Sequence, residues 1–184
     1  MNKIIKQDLY RYEGNRCESL RIQLRYFFFV PGFTYIYFFR RVQLSKNVLI
    51  KAFFYFFLKV TSYITHIQIP PSTNIKEGFR IVHFGTIVVN PEVKIGRNFN
   101  ISEGTLIGNA QGKLAGVPTI GDNVCMNANS IIIGKCKIGN NVLIAPGAFV
   151  NFDVPDNSIV IGNPGRIIQR DSSPSDKYIV YPLP

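Results

Sequence analysis

Residues 69–107 read IPPSTNIKEGFRIVHFGTIVVNPEVKIGRNFNISEGTLI, and their apolar side chains recur every six positions. Ile69, Ile75, Ile81, Ile87, Val93 and Phe99 form one column, and Val89, Ile95, Ile101 and Ile107 a second one, two residues on. After an interruption the spacing resumes in IGDNVCMNANSIIIGKCKIGNNVLIAPGAFV, residues 120–150, at Ile120, Met126, Ile132, Ile138, Ile144 and Val150. Glycine follows a column residue at Gly96, Gly108, Gly121 and Gly139. An α-helix repeats at about 3.6 residues and a strand at about 2. A period of six is that of a parallel β-helix. Each hexad supplies a short strand and a turn, and three hexads close one triangular coil. Coils stack at the strand spacing, about 4.8 Å. The column residues point inward, and glycine lets the corners turn tightly.

The interruption, GNAQGKLAGVPT at residues 108–119, is polar and glycine-rich and breaks the apolar column. It predicts a loop bulging from the coils, a usual place for a binding face in a solenoid. Downstream, Pro155 and Asp156 mark a turn, Ser158–Ile161 reads as a further strand, and Gly162–Gly165 as a tight turn. Residues 169–184 hold three prolines among serines and aspartates and read as an extended tail.

Upstream the composition changes. Residues 1–66 carry 11 basic and 3 acidic side chains and 17 of the 24 aromatics, whereas the remainder is close to neutral. Residues 3–25 predict a helix interrupted at Gly14, and Pro31–Gly32 a break. Residues 33–42 fit helix or strand. Leu49, Phe53, Phe56, Phe57 and Val60 predict a helix over 46–63. No leader peptide is legible before Arg25, and neither apolar run, YFFFVPGFTYIYFF nor AFFYFFL, reaches the length of a spanning helix. The basic, aromatic third fits a helical hairpin buried on the chain or a neighbouring subunit. It also fits a surface lying on an anionic membrane. Nucleic acid is disfavoured, because the coils are neutral and no recognition module is present. Cys17, Cys125 and Cys136 lack metal-ligand spacing and read as reduced and buried, which predicts a cytoplasmic protein, peripheral at the inner face of the membrane if residues 1–66 touch lipid.

The hexads, the segment GFRIVHFGTIVVNPEVKIG and the ending DVPDNSIVIGNPGRII together resemble the hexapeptide-repeat acyltransferases. Within them the resemblance is to the serine acetyltransferase branch and its relatives in surface-polysaccharide biosynthesis, over roughly Ile69–Ile168. It implies a mainly β fold: a left-handed parallel β-helix at 67–168, after an N-terminal α-helical region at 1–66. It also implies a homotrimer with acetyl-coenzyme A as donor. The family's catalytic histidine falls on His83. Its donor-binding parts fall on Ala145, Pro146 and Gly147 and on Gly162, Asn163, Pro164, Gly165 and Arg166, with Lys135 and Arg170 as weaker cations. Two kinds of the branch's groups are absent: Val82 stands for the aspartate that binds serine and Gly116-Val117 for an arginine and a second histidine, while Gln68 stands for the aspartate that orients the catalytic histidine.

An imidazole titrating near neutrality suits removal of a hydroxyl proton. The expected activity is therefore acetyl transfer to a hydroxyl of a sugar or surface-polysaccharide precursor. The alternatives are serine O-acetylation and a non-catalytic β-helix scaffold or binding protein. His66, the other histidine, reads as structural.

Overall fold

A computed structural model describes all 184 residues, Met1–Pro184. Four helices come first: α1 (Lys3–Glu13), α2 (Leu20–Phe29), α3 (Pro31–Leu44) and α4 (Val48–Thr65). Their limits follow from local chemistry. The Asn2 side chain accepts from the Ile4 N–H at 3.1 Å, and the Asn47 side chain from Leu49 and Ile50, so each caps a first turn. Gly14, at φ 57°, ends α1. His66, in the left-handed region, ends α4.

Three expectations are corrected here. Residues 3–25 break at Gly14 as expected, but into a 3-10 turn at Gly14–Glu18, and α2 beyond it runs past Arg25 to Phe29. Pro31 separates two helices yet itself opens α3, because its missing N–H costs nothing at a first helical position; residues 33–42 are helical. Finally, α4 continues through Lys51 and Lys59, and its 18 residues are long and apolar enough to cross a membrane by length and composition.

From Ile67 the chain winds as a left-handed parallel β-helix. Its first face stacks Ile67–Gln68, Ile87–Val89, Leu106–Gly108, Ile131–Ile133 and Phe149–Val150. The second stacks Asn74–Ile75, Lys94–Ile95, Thr119–Ile120 and Lys137–Ile138. The third stacks Arg80–Ile81, Asn100–Ile101, Cys125–Met126, Leu143–Ile144 and Ser158–Ile161, closed by an antiparallel Arg166–Gln169. Inward columns run Ile75, Ile95, Ile120, Ile138 and Ile81, Ile101, Met126, Ile144, Val160.

The unbroken run of sixes from Ile69 to Phe99 hides a slip. Ile81 stacks on Ile101 and Ile75 on Ile95, a first coil of 20 residues, whereas Val89 on Ile107 and Ile120 on Ile138 give coils of 18. The two extra residues lie between Ile81 and Val89. Past them the first column changes role: Val93 and Phe99 are buried at the corners, two residues before the strand positions Ile95 and Ile101. The two columns are one core read at two places in the hexad.

An open solenoid end exposes unpaired backbone groups. Here α1 and α3 cover the first coil and satisfy them with side chains. The Asp8 carboxylate accepts from the Gly78 and Phe79 N–H groups at 2.9 and 2.8 Å. Arg40 donates to Asp8 and to the Ile75 and Lys76 carbonyls, and Arg11 donates to Gly78 O and Asn100 Oδ1. The Tyr12 and Tyr35 hydroxyls each exchange two hydrogen bonds with one residue's backbone, Ile81 and Ile69 respectively. Asp8, Arg11 and Arg40 are fully buried. Burial pushes the Asp8 carboxyl upward, and Arg40 with the two N–H groups pulls it back.

The tail differs from its expectation. Beyond Gln169 it crosses the third face, where Asn100 donates to Tyr178 O, Asn98 pairs with both backbone groups of Leu183, and Ser175 donates to Asn123 O. Ile179 is buried. The loop after Gly108 is present as expected, pinched at its base by an Ala110–Gly116 bridge and holding one 3-10 turn at Gly112–Leu114.

Candidate active site

Each edge of the triangular prism has its own chemistry. The edge between the second and third faces is a ladder of Asn98, Asn123, Asn141 and Asn157. Each of the first three donates from Nδ2 to the next Oδ1 at 3.0 Å. The edge between the first and second faces carries the loop, which folds over Gly134 and Lys135; the Lys135 N–H donates to Leu114 O. The edge between the third face and the first carries His83.

His83 lies in the corner lengthened by two residues. It is exposed, as is its neighbour Phe84 at 49%. Val82 still belongs to the wall: it is half-buried and its N–H donates to Ile101 O at 2.8 Å. The corner turns back at Gly85, where a Cβ would stand 2.9 Å from the Glu103 Cβ in the coil above. Glu103 packs against the bulge from that next coil, and its Oε2 is buried with no hydrogen-bond partner. The His83 side chain makes no hydrogen bond within the chain, so the imidazole is free toward an incoming group.

Above His83, the same edge carries Glu103–Gly104, then Ala128–Asn129, then Pro146–Gly147. Asn129 N donates to Glu103 O and Gly147 N to Ala128 O, both at 2.9 Å. The turn Gly162–Gly165 closes the edge: Phe149 N donates to Gly162 O, and Gly165 lies directly on the Phe149 carbonyl, where no Cβ fits. Arg166 follows, exposed and without an ion pair. The structure therefore aligns His83, Ala145–Gly147 and Gly162–Arg166 along one edge. His83 and Gly147 are three coil steps apart, on the order of 14 Å.

Gln68, Val117 and Lys135 are not brought to this edge. Gln68 sits on the first face opposite Val88 and lines a 320 Å³ cleft with Tyr55, Lys59 and Ser62. Val117 and Lys135 belong to the loop edge, a different corner of the prism. Sequence reasoning missed Phe84 and Glu103. The signal for both was the second apolar column starting at Val89, which places extra residues after Ile81.

The edge can hold a long, thin, phosphate-bearing group. A Cβ at Gly147 would meet nothing within 4 Å, Pro146 and Gly162 are exposed, and Arg166 stands free at its end.

Residues 118–151 match the family model described as bacterial transferase hexapeptide (six repeats). The chain is 35% identical over 115 residues to a serine acetyltransferase of Staphylococcus aureus (strain Mu50), a match covering 61% of this chain and 54% of that protein. It is 33% identical over 131 residues to the serine acetyltransferase of Bacillus subtilis (strain 168), covering 68% and 60%. Among solved structures, Neisseria gonorrhoeae serine acetyltransferase in complex with serine superimposes with a TM-score of 0.73 at 27% identity, over 89% of this chain and 67% of that one. Serine acetyltransferase from Brucella abortus strain S19 in complex with coenzyme A gives 0.76 at 26% identity, over 92% and 68%. The chain spans between half and two thirds of the length of these curated relatives. It carries the hexapeptide repeat and is similar in sequence and fold to the serine acetyltransferase branch.

Proposed function

We propose that the chain is an acetyl-coenzyme A-dependent O-acetyltransferase whose acceptor is a hydroxyl of a sugar or surface-polysaccharide precursor. The observation that supports this most is the single edge that carries an unencumbered imidazole at one end and an open glycine-lined track with a free arginine at the other. Acetyl-coenzyme A lying along the track supplies a thioester carbonyl. Ala145–Gly147 and Gly162–Gly165 would border its arm, and Arg166 would face its phosphates. His83 takes the proton from the acceptor hydroxyl as the C–O bond forms, then returns it to the sulfur as the C–S bond breaks. Glu103 packs against Gly85 in the same corner, and we assign it the role of orienting the imidazole when the acceptor binds.

The acceptor reading rests on what surrounds His83. Free serine carries two opposite charges, yet Val82, Phe84, Gly85 and Thr86 supply none to pair with them. An exposed ring beside the base offers instead a flat apolar surface for a sugar. Serine O-acetylation is the second reading, favoured by the names of the relatives. A homotrimer is part of the proposal: Val88, Leu106, Ile131 and Phe149 form an apolar outer row on the first face, half-buried in one chain. The buried, unpaired thiols of Cys17, Cys125 and Cys136 fit a reducing compartment.

Release of free coenzyme A thiol, followed with a panel of sugars and with serine, tests the reading. His83→Ala is expected to lower kcat by about 10²–10⁴, with coenzyme A affinity unchanged by calorimetry. An unchanged rate removes His83 as base. Faster turnover of serine than of every sugar selects the second reading, and failure to bind coenzyme A leaves the scaffold alternative.

A further inference from the structure

The cap over the first coil is built by α1 and α3. The other two helices bury little: α2 only Ile22, and α4 only Leu58 and Thr65. Their free sides are not polar. On α2, Leu20, Leu24, Phe28 and Phe29 are exposed, the last at 79%. On α4 both sides are apolar: Phe54, Phe57 and Leu58 pack inward, while Leu49, Phe53, Phe56, Val60 and Tyr63 face outward. The two sets are joined by touching rings. Phe28 meets Phe27 at 4.9 Å, Phe27 meets Phe38 at 5.7 Å, Phe38 stacks on Phe57 at 5.5 Å, and Phe57 meets Phe53 at 5.0 Å.

The charge on this layer has one sign. No aspartate or glutamate occurs between Glu18 and Glu77, whereas Arg21, Arg25, Lys46, Lys51 and Lys59 are exposed and form no ion pair. Two copies meeting through this face would bring like charges together. An anionic surface complements it.

We propose that the outer face of α4, continued by the exposed side of α2, docks on an anionic lipid bilayer, rings at the interface and cations toward the headgroups. The helix lies on the bilayer and does not cross it. Its two ends are tied to one body: α3 precedes it in the cap, and the first coil begins at Ile67, immediately after His66. The docking surface stands without the transferase reading. Only its consequence for the acceptor rests on that reading: His83 belongs to the coil that the helices cap, so a lipid-linked glycan is the acceptor class both features fit.

Cosedimentation of the full chain with vesicles tests the surface. Binding is expected to vesicles with 30% phosphatidylglycerol in phosphatidylcholine, falling at least tenfold in neutral vesicles or 0.5 M salt. Phe53→Ser with Phe56→Ser, and separately Lys51→Glu with Lys59→Glu, should each weaken it at least tenfold without changing the circular dichroism melt; all four side chains are exposed. His83→Ala should bind vesicles like the wild type, which separates this surface from the active site. No association at low salt, or binding indifferent to both double variants, overturns the proposal. So does assembly beyond a trimer that the phenylalanine pair abolishes, since a second copy would then be the occupant.

Discussion

Single residues decide where the chemistry can sit. Glu103 pairs a buried, unpartnered oxygen with a position packed against the His83 corner at Gly85. If it holds the imidazole, Glu103→Gln lowers kcat about tenfold while KM for acetyl-coenzyme A and the melting temperature stay put; equal loss of stability would make its role structural. The cysteines make a different prediction. Burial pushes the thiols of Cys125 and Cys136 up to about 11 from an ordinary 9.0. Between those values the unfolded chain releases protons that the folded one keeps, so stability is complete below pH 9 and falls as pH rises toward 11. For Cys125 the loss is about 1.4 kcal/mol per pH unit. Denaturant melts at pH 8.5 and 10.5 should show the difference, and Cys125→Ala should lack that part of it. His83 was expected from the family motif, and the structure leaves it exposed in the lengthened corner. Glu103 was not expected: the column starting at Val89 shows that residues are added after Ile81, but only the packing of Gly85 against Glu103, 18 positions on, brings that side chain to the corner.

At the scale of elements, the hexads were legible because an inward column of isoleucines has no other explanation. The register was less so: a corner longer by two residues leaves the six-residue rhythm intact and merely exchanges which of two inward positions is being counted. The helices were read only in part for the same physical reason. Propensity marks Pro31 as a breaker, but only tertiary packing says that a new helix starts on it. The asparagine ladder was present in the sequence as Asn98, Asn123, Asn141 and Asn157, spaced like the coils yet not periodic in hydropathy. Each adopts a φ of 55–57°, a conformation that asparagine tolerates better than other side chains bearing a Cβ. Asn123→Ala removes two ladder bonds and strains the turn, for an expected loss of about 2–4 kcal/mol. Asn123→Gly keeps the turn and should lose less. Chemical denaturation separates the two contributions: equal stabilities of the two variants would deny the strain, and a glycine variant as stable as the wild type would deny the ladder any role.

The whole molecule is polarised along the prism axis. Helices and buried charges close one end, and the antiparallel return through Arg166–Gln169 marks the other. Across the prism each face meets a different neighbour: the tail lies over the third, solvent over the second, and no part of the chain covers the apolar row on the first. One consequence concerns completeness. His83 and the loop around Val117 lie on different edges, so one chain cannot bring them together. A neighbour packed against the first face could lay its own loop edge beside the His83 edge, and the site would then be finished only in the assembly. Ile131→Glu places a carboxylate in the middle of the apolar row while leaving the inward Ile132 untouched. Sedimentation equilibrium should find the variant monomeric and its circular dichroism unchanged, with acetyl transfer reduced at least a hundredfold although His83 and the donor track are intact. A monomer of full activity would mean that one edge of one chain is sufficient, and that the apolar row serves something other than the site.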